Sequence, residues 1–135
     1  MVQSEELKVI ENNNVSSYPV PDKVIAYLKC PNNGLYRMGI FSHLYKPDIR
    51  FYGKTVYSDG LYVWDNFTWK YVMKYNLRLP ESFIDHVMSE EGTAFIEKAI
   101  DESKLWSVTV KKYKKQLGYR CFIPTQSELR ELDNF

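Results

Sequence analysis

Apolar and polar positions alternate loosely along the middle of the chain, which is typical of β-strands. Three segments, 35–45, 49–57 and 61–64, are rich in aromatic and apolar residues and lie between turn residues. The sequence Asp59-Gly60 joins the last two segments, and glycine tolerates the positive φ of a tight hairpin turn. Three consecutive strands joined by turns predict an antiparallel meander, and Gly39 is a candidate point of interruption in the first of them.

Apolar residues recur at helical spacing in four other segments. The segment 21–28 begins with Pro-Asp, which suits the first turn of a helix. The segment 67–75 has an aromatic residue at every fourth position, and the segment 80–88 follows a Pro-Glu start with an apolar stripe. A further helix is predicted from Thr93, with Gly92 as the boundary that precedes it.

The residues from 105 to 135 give mixed signals. β-Branched residues at 105–110 favour a strand, whereas the sequence up to Gly118 favours a helix, so both structures stay open for residues 105–117. The segment 119–124 is predicted to be a terminal strand, and the final eight residues a frayed end.

Residues 1–17 are polar and predict a loose N-terminal segment, with a short strand as an option at residues 7–10.

The predicted elements fit one domain over residues 1–135, a length at which a single core is sufficient. The fold class that they indicate is α+β, with a small antiparallel β-sheet, a meander, packed against several helices on one face. The two tryptophans of the hairpin region, Trp64 and Trp69, are expected to pack on that sheet as core residues.

The formal net charge is only +1, but two neighbouring blocks of the chain are strongly charged. Seven acids and one base, Lys98, lie between residues 81 and 102, whereas six bases and no acid lie between residues 104 and 120. The near-neutral total excludes a global field that would attract nucleic acid. The two blocks either face each other or cover different surfaces.

The cysteines and the hydropathy pattern predict a cytoplasmic protein. Cys30 and Cys121 are far apart and have no metal-binding spacing, so two buried, reduced thiols are expected. No apolar run reaches the roughly 20 residues of a membrane helix. The N-terminal sequence lacks a basic region followed by an apolar run, so no secretory signal is expected.

The sequence provides little for catalysis. It contains two histidines, His43 and His86, and neither lies in a recognisable nucleophile, metal or nucleotide motif. Asp85 and His86 are neighbours, which point in different directions on a helix. The prediction is therefore a protein that is not an enzyme, with no metal site and no cofactor.

Three short motifs follow one another between residues 59 and 83. They are "DGxYxW" at 59–64, "YVMKY" at 71–75 and "LPESF" at 79–83. Together they resemble a pattern of small bacterial proteins encoded beside polymorphic toxins, which include immunity proteins of contact-dependent growth inhibition systems. The resemblance covers about residues 24–88. It implies a protein that binds and neutralises one cognate toxin domain, and such toxins are often nucleases.

Charge and expected exposure, rather than the resemblance, indicate which residues would bind such a partner. Inhibitors of basic nucleases commonly offer acids that mimic phosphate and aromatic anchors. The predicted partner-binding residues are therefore the seven acids Glu81, Asp85, Glu90, Glu91, Glu97, Asp101 and Glu102, with the tyrosines Tyr62 and Tyr71 as anchors.

The alternative function is a small nucleic-acid-binding module that uses the basic stretch from Lys111 to Arg120. There, lysines that can neutralise phosphates alternate with Tyr113 and Tyr119, whose rings can stack on bases. The competing interpretation is a solvated helix whose Tyr113 and Leu117 point inward, and the low net charge favours it. Oligomeric state is left open.

Overall fold

The computed structural model describes residues 5–6, 20–30 and 34–135 of the chain. The strands are β1 (Glu5–Glu6), β2 (Leu35–Arg37), β3 (Phe41–Ser42), β4 (Arg50–Phe51), β5 (Lys54–Ser58) and β6 (Tyr62–Asp65). The α-helices are α1 (Asp22–Lys29), α2 (Thr68–Tyr75), α3 (Glu81–Met88), α4 (Glu90–Glu102), α5 (Val108–Leu117) and α6 (Gln126–Glu131). Two 3₁₀ helices, Gly118–Phe122 and Leu132–Asn134, complete the described elements. The α+β fold class predicted from the sequence is confirmed.

Helix α1 forms the centre of the core. Every residue from Val24 to Leu28 is buried, so the helix has apolar neighbours on all sides. Helices α2 and α3 and the 3₁₀ helix Gly118–Phe122 pack around it. The indole N–H of Trp64 donates a 3.0 Å hydrogen bond to the Leu28 carbonyl, which ties the sheet to the end of α1. Trp64 and Trp69 are both buried, as expected for core residues.

The main sheet has the strand order β1–β6–β5–β2. Strands β2, β5 and β6 pair in antiparallel fashion, which confirms the predicted sheet, and β1 pairs with β6 in parallel. The predicted hairpin turn at Asp59-Gly60 is also confirmed, with Gly60 at a φ of 92°. Apart from Glu5–Glu6 of β1, the predicted loose segment 1–17 lies outside the described residues, and so does the optional strand 7–10.

The hairpin that contains β2 and β5 bends sharply in its middle. Arg37 lies opposite Lys54 and Phe41 lies opposite Phe51, so three residues of one strand face two residues of the other. Such an extra residue is a β-bulge, which bends and twists a ribbon. Gly39 (φ 150°) and Gly53 (φ 130°) provide the backbone conformations that the bend needs. Each predicted long strand is therefore split into two, and the interruption at Gly39 is confirmed.

Helix α4 begins earlier than the sequence predicts. Ser89 is its N-cap residue and Gly92 lies inside its first turn, so the predicted start at Thr93 is wrong. A side-chain carbon at Gly92 would collide with the carbonyl of Val87, near the end of α3. Gly92 therefore permits the close approach of two consecutive helices, and it does not mark the boundary between them.

The C-terminal region is more ordered and more helical than predicted. Residues 108–117 form α5, and the Ser107 hydroxyl accepts a 3.3 Å hydrogen bond from the Val110 N–H at its start. The predicted strand at 119–124 is wrong, since a 3₁₀ helix occupies Gly118–Phe122. The predicted frayed end is wrong as well. A capping box between Thr125 and Glu128 starts α6, and the Phe135 side chain is buried.

Candidate functional site

Seven exposed acids cover the outer side of α3 and α4, and we call them the acidic helix surface. They are the predicted partner-binding acids Glu81, Asp85, Glu90, Glu91, Glu97, Asp101 and Glu102. Four of them have a basic group within 4.0 Å: Arg78 for Glu81, His86 for Glu91, Lys115 for Asp101 and Lys98 for Glu102. The other three, Asp85, Glu90 and Glu97, form no ion pair with the part of the chain that the structure describes.

A shallow depression lies where the acidic helix surface meets the tip of the β5–β6 hairpin. It is lined by Leu61, Tyr62, Ser82, Asp85, His86, Ser89, Glu90 and Glu91. Four residues that the sequence analysis selected, Tyr62, Asp85, Glu90 and Glu91, are therefore brought together at one place. The remaining acids lie further along α4 or at the start of α3.

A buried carboxylate, Asp59, fixes the floor of this depression. Its side chain is only 1% exposed. One carboxylate oxygen accepts hydrogen bonds from the backbone N–H groups of Leu61 (2.9 Å) and Tyr62 (2.7 Å), and the other accepts the Tyr27 hydroxyl (2.5 Å). Burial, and then the bond to Asp59, raise the pKa of Tyr27 far above its ordinary value, so its hydroxyl is a permanent donor. Asp59 thus links the hairpin turn to the central helix α1.

His86 connects this buried carboxylate to the surface. Its Nε2 lies 3.5 Å from Asp59 Oδ2, and its Nδ1 lies 3.4 Å from Glu91 Oε2. Since both ring nitrogens face carboxylate oxygens, neither is directed at a serine or cysteine that it could activate. Among the described residues, no group of three or more His, Cys, Asp or Glu side chains is placed to hold a metal ion. The arrangement is suited to presenting negative charge on a fixed platform.

The two tyrosines predicted as partner anchors lie in the core, so the expectation that their rings are exposed is wrong. Tyr62 is 9% exposed, and its hydroxyl donates a 2.9 Å hydrogen bond to Ser82 Oγ. Tyr71 is 5% exposed, and its hydroxyl accepts the Leu44 N–H. Burial raises the pKa of Tyr71 to about 12. Tyr62 and Trp64 lie two residues apart on one strand face, and Tyr71 lies four residues after Phe67, the N-cap residue of α2, so both periodicities point these rings inward.

The basic stretch on α5 is largely engaged by the protein itself. Lys111 Nζ donates to the Asp101 carbonyl (2.9 Å), Lys115 Nζ pairs with the Asp101 carboxylate (2.8 Å), and Lys114 Nζ lies 4.3 Å from the centre of the Trp106 ring. The acidic and basic blocks therefore meet at Asp101. Tyr113 is 62% exposed, which corrects the expectation that it points inward.

The two cysteines differ in burial. Cys30 is fully buried, as predicted, whereas Cys121 is half-buried, and both are free thiols. Burial raises the pKa of both thiols, which favours their protonated form. They offer no nucleophile at the depression.

Sequence reasoning missed an exposed apolar surface at the bend of the β2–β5 hairpin, which we call the apolar corner. It consists of five large side chains that are between 63% and 87% exposed, Leu35, Tyr36, Met38, Ile40 and Tyr52. Five large apolar side chains that are this exposed within one short hairpin are unusual for a monomeric protein and are typical of interaction sites. The glycines Gly39 and Gly53, which permit the bend, were the only signal of it in the sequence.

Comparison of the chain with protein-family models, with curated proteins and with solved structures gave no match. None of the helices within the described ranges is both long enough and apolar enough to cross a membrane. The site must therefore be interpreted from its own geometry.

Proposed function

We propose that the chain is an immunity protein, which binds and neutralises one cognate toxin domain, a nuclease, in the bacterial cytoplasm and has no catalytic activity of its own. The observation that carries this proposal is the acidic helix surface, with three exposed acids that lack an ion pair in the described residues. A nuclease must present a basic surface to its phosphate substrate, and a carboxylate array can occupy that surface.

The rigidity of the platform supports the same proposal. Glu91 and Asp85 lie beside a depression whose floor is fixed by the buried Asp59 and its four neighbours. Backbone that is held in place before binding loses less conformational freedom when a partner arrives, and this raises affinity. Glu90, Glu97 and Asp101 are spaced seven and four residues apart on α4, so they form one ridge along the helix.

The test is co-expression with the C-terminal domain of the protein encoded immediately upstream. The chain is expected to restore growth and to co-purify with the toxin domain at one-to-one stoichiometry. The double reversal Glu90→Lys and Glu97→Lys is expected to weaken binding by about 10- to 100-fold, as the loss of charge complementarity predicts. The measurement is the dissociation constant of the purified pair together with growth of the co-expressing cells.

A matched control carries the same change of charge elsewhere. Glu131→Lys and Asp133→Lys alter two exposed acids in the C-terminal helical turns, away from α3 and α4, and should leave binding within about threefold. If the wild-type chain neither binds nor rescues, the immunity function is rejected. If both double variants bind equally well, the acidic helix surface is not the contact.

The exposure of Tyr113 beside Lys112 favours the second candidate, a nucleic-acid-binding module. Three of its lysines are already held by Asp101 and Trp106, which leaves few cations for phosphate. A polyanion-binding protein would bind single-stranded nucleic acid with affinity that falls steeply as salt rises. We expect no binding to single-stranded nucleic acid at 50 mM salt, a low concentration at which such binding would be strong.

A further inference from the structure

We propose that the apolar corner and the outer edge of β2 bind an extended, acidic and apolar segment of the toxin polypeptide as an added β-strand. This inference rests on the proposed function and assigns a second contact, separate from the acidic helix surface. In β-strand addition, main-chain hydrogen bonds supply affinity and side-chain contacts supply specificity.

The edge of β2 is suited to such pairing. Strand β2 bonds to β5 on one side, and no strand within the described ranges pairs with its other side. All three residues of β2 are exposed. A strand edge with exposed apolar side chains is a template for another chain, and proteins normally protect it.

One side chain of the corner, Tyr36, is held by contacts across the bend. The Tyr36 hydroxyl donates a 3.2 Å hydrogen bond to the Tyr52 carbonyl, which crosses the bend. The ring lies directly against Gly53, where any side-chain carbon would collide with it. A fixed tyrosine provides a large contact area at a low cost in conformational entropy, as in binding surfaces generally.

Charge identifies the kind of partner. The segment from Gly34 to Lys54 contains four bases (Arg37, Lys46, Arg50 and Lys54) and one acid (Asp48), a local sum of +3. Arg37 and Arg50 are exposed and form no ion pair within the described part of the chain. A second copy would bring the same positive surface against itself in a two-fold interface, which is unfavourable. An acidic segment of a different protein is complementary.

A cavity of about 330 Å³ adjoins the corner and offers a place for an apolar anchor. Ile40 belongs to both features, and the aromatic rings of Phe41, Phe51 and Phe67 line the interior. Lys54 and Asp65, 3.6 Å apart, contribute the charged part of the lining. A segment that continues from the β2 edge past Ile40 would reach the rim of this cavity, where one large apolar side chain could act as an interface anchor.

The test compares two double variants that each replace two exposed apolar residues by serine. Tyr36→Ser with Met38→Ser alters the corner, whereas Leu105→Ser with Val108→Ser alters residues that are 93% and 84% exposed before and at the start of α5. The corner variant is expected to bind the purified upstream-encoded toxin domain at least about 100-fold more weakly than wild type, and the control within about threefold. The control should unfold at the wild-type temperature, and the corner variant within a few degrees of it, since it loses the hydrogen bond from Tyr36 to the Tyr52 carbonyl.

Hydrogen exchange provides a readout that is specific for strand addition. In the complex, amides of Leu35–Arg37 that do not bond to β5 are expected to exchange more slowly than in the free chain, because the added strand bonds to them. The amides of α3 and α4 are already bonded within their helices, so binding through the acidic side chains should add no new backbone hydrogen bonds there. Unchanged exchange at all three β2 amides in a formed complex overturns the proposal.

Four other outcomes also overturn it. If the corner variant binds the toxin domain with wild-type affinity, the immunity function stands but the apolar corner is not part of the contact. A free chain that sediments as a dimer, and that the corner variant returns to monomer, assigns the edge to a second copy. If the wild-type chain and the control variant bind mixed-sequence single-stranded RNA and the corner variant does not, the apolar corner binds nucleic acid instead. Absence of any toxin binding by wild type rejects the proposed function itself.

Discussion

Replacing Asp59 with alanine is expected to lower the free energy of unfolding by about 4 kcal/mol. The buried carboxylate accepts two backbone N–H groups and the Tyr27 hydroxyl, and it lies beside His86. Alanine leaves these donors without partners, and each unsatisfied buried donor costs about 1–3 kcal/mol. Urea unfolding followed by tryptophan fluorescence measures the change, since Trp64 and Trp69 are buried.

Three variants separate the contributions to this effect. Asp59→Asn keeps an acceptor for the turn and should cost less than alanine. Tyr27→Phe removes one charge-assisted bond and should cost about 1.5–3 kcal/mol. Asp48→Ala, an exposed aspartate in the β3–β4 turn, should change stability by less than about 0.5 kcal/mol. Equal stabilities of Asp59→Ala and Asp48→Ala would show that the buried carboxylate does not hold the turn.

Replacing His43 with asparagine is expected to lower stability by about 2 kcal/mol at pH 8 and to remove a pH dependence. The imidazole is 2% exposed and lies between aromatic rings, with the Phe135 and Tyr71 centroids at 4.5 and 5.2 Å. Its Nδ1 accepts the backbone N–H groups of Tyr45 and Lys46, both at 3.0 Å. An asparagine oxygen can accept the same two bonds, so the loss comes mainly from ring packing.

The pH dependence follows from the lowered pKa of His43. Burial is the main cause, the backbone of Phe135 opposes it, and the cations of Lys46 and Lys74 add to the lowering. Below about pH 6.5 the unfolded chain takes up a proton that the folded chain refuses, so wild-type stability falls as pH decreases toward the lowered pKa. His43 Nε2 has no hydrogen-bond partner within the described structure, so the Phe135 backbone offsets the effect of burial only in part.

Unfolding measured between pH 8 and pH 5 checks this prediction. The gap between wild type and His43→Asn is expected to narrow as pH falls, by at most about 1.4 kcal/mol per pH unit for a single proton. His86 and the carboxylates are common to both chains, so the difference isolates position 43. A gap that stays constant over this range contradicts a buried, neutral His43.

Most of the fold was predictable from local sequence patterns, because the local preference of most segments agrees with the packing around them. Helices α2 and α3 and the Asp59-Gly60 hairpin each combine the right periodicity with the right turn residues. The strand prediction for 119–124 was wrong because its apolar residues pack against α1 as a 3₁₀ helix. Strand propensity depends on the residues themselves and does not include that tertiary contact. Gly92 misled because a helix–helix contact, rather than a chain break, requires a glycine there.

The candidate site was only partly accessible from sequence. All seven acids are exposed because they lie on the polar faces of α3 and α4, which the helical period defines. The chemistry of Tyr62 and Tyr71 suggests partner anchors, although their spacing in the sequence directs them inward. The His86–Asp59 contact joins residues 27 positions apart, and the apolar corner depends on an extra residue in one strand, so neither was predictable from local spacing.

A stoichiometric titration of toxin activity tests the central claim most directly. Increasing amounts of the purified chain would be added to a fixed amount of the upstream-encoded toxin domain, and nuclease activity on its nucleic-acid substrate would be measured. Neutralisation by tight association predicts activity that falls linearly and vanishes at one chain per toxin domain. Full activity at a tenfold molar excess of the chain would contradict the assignment as an immunity protein.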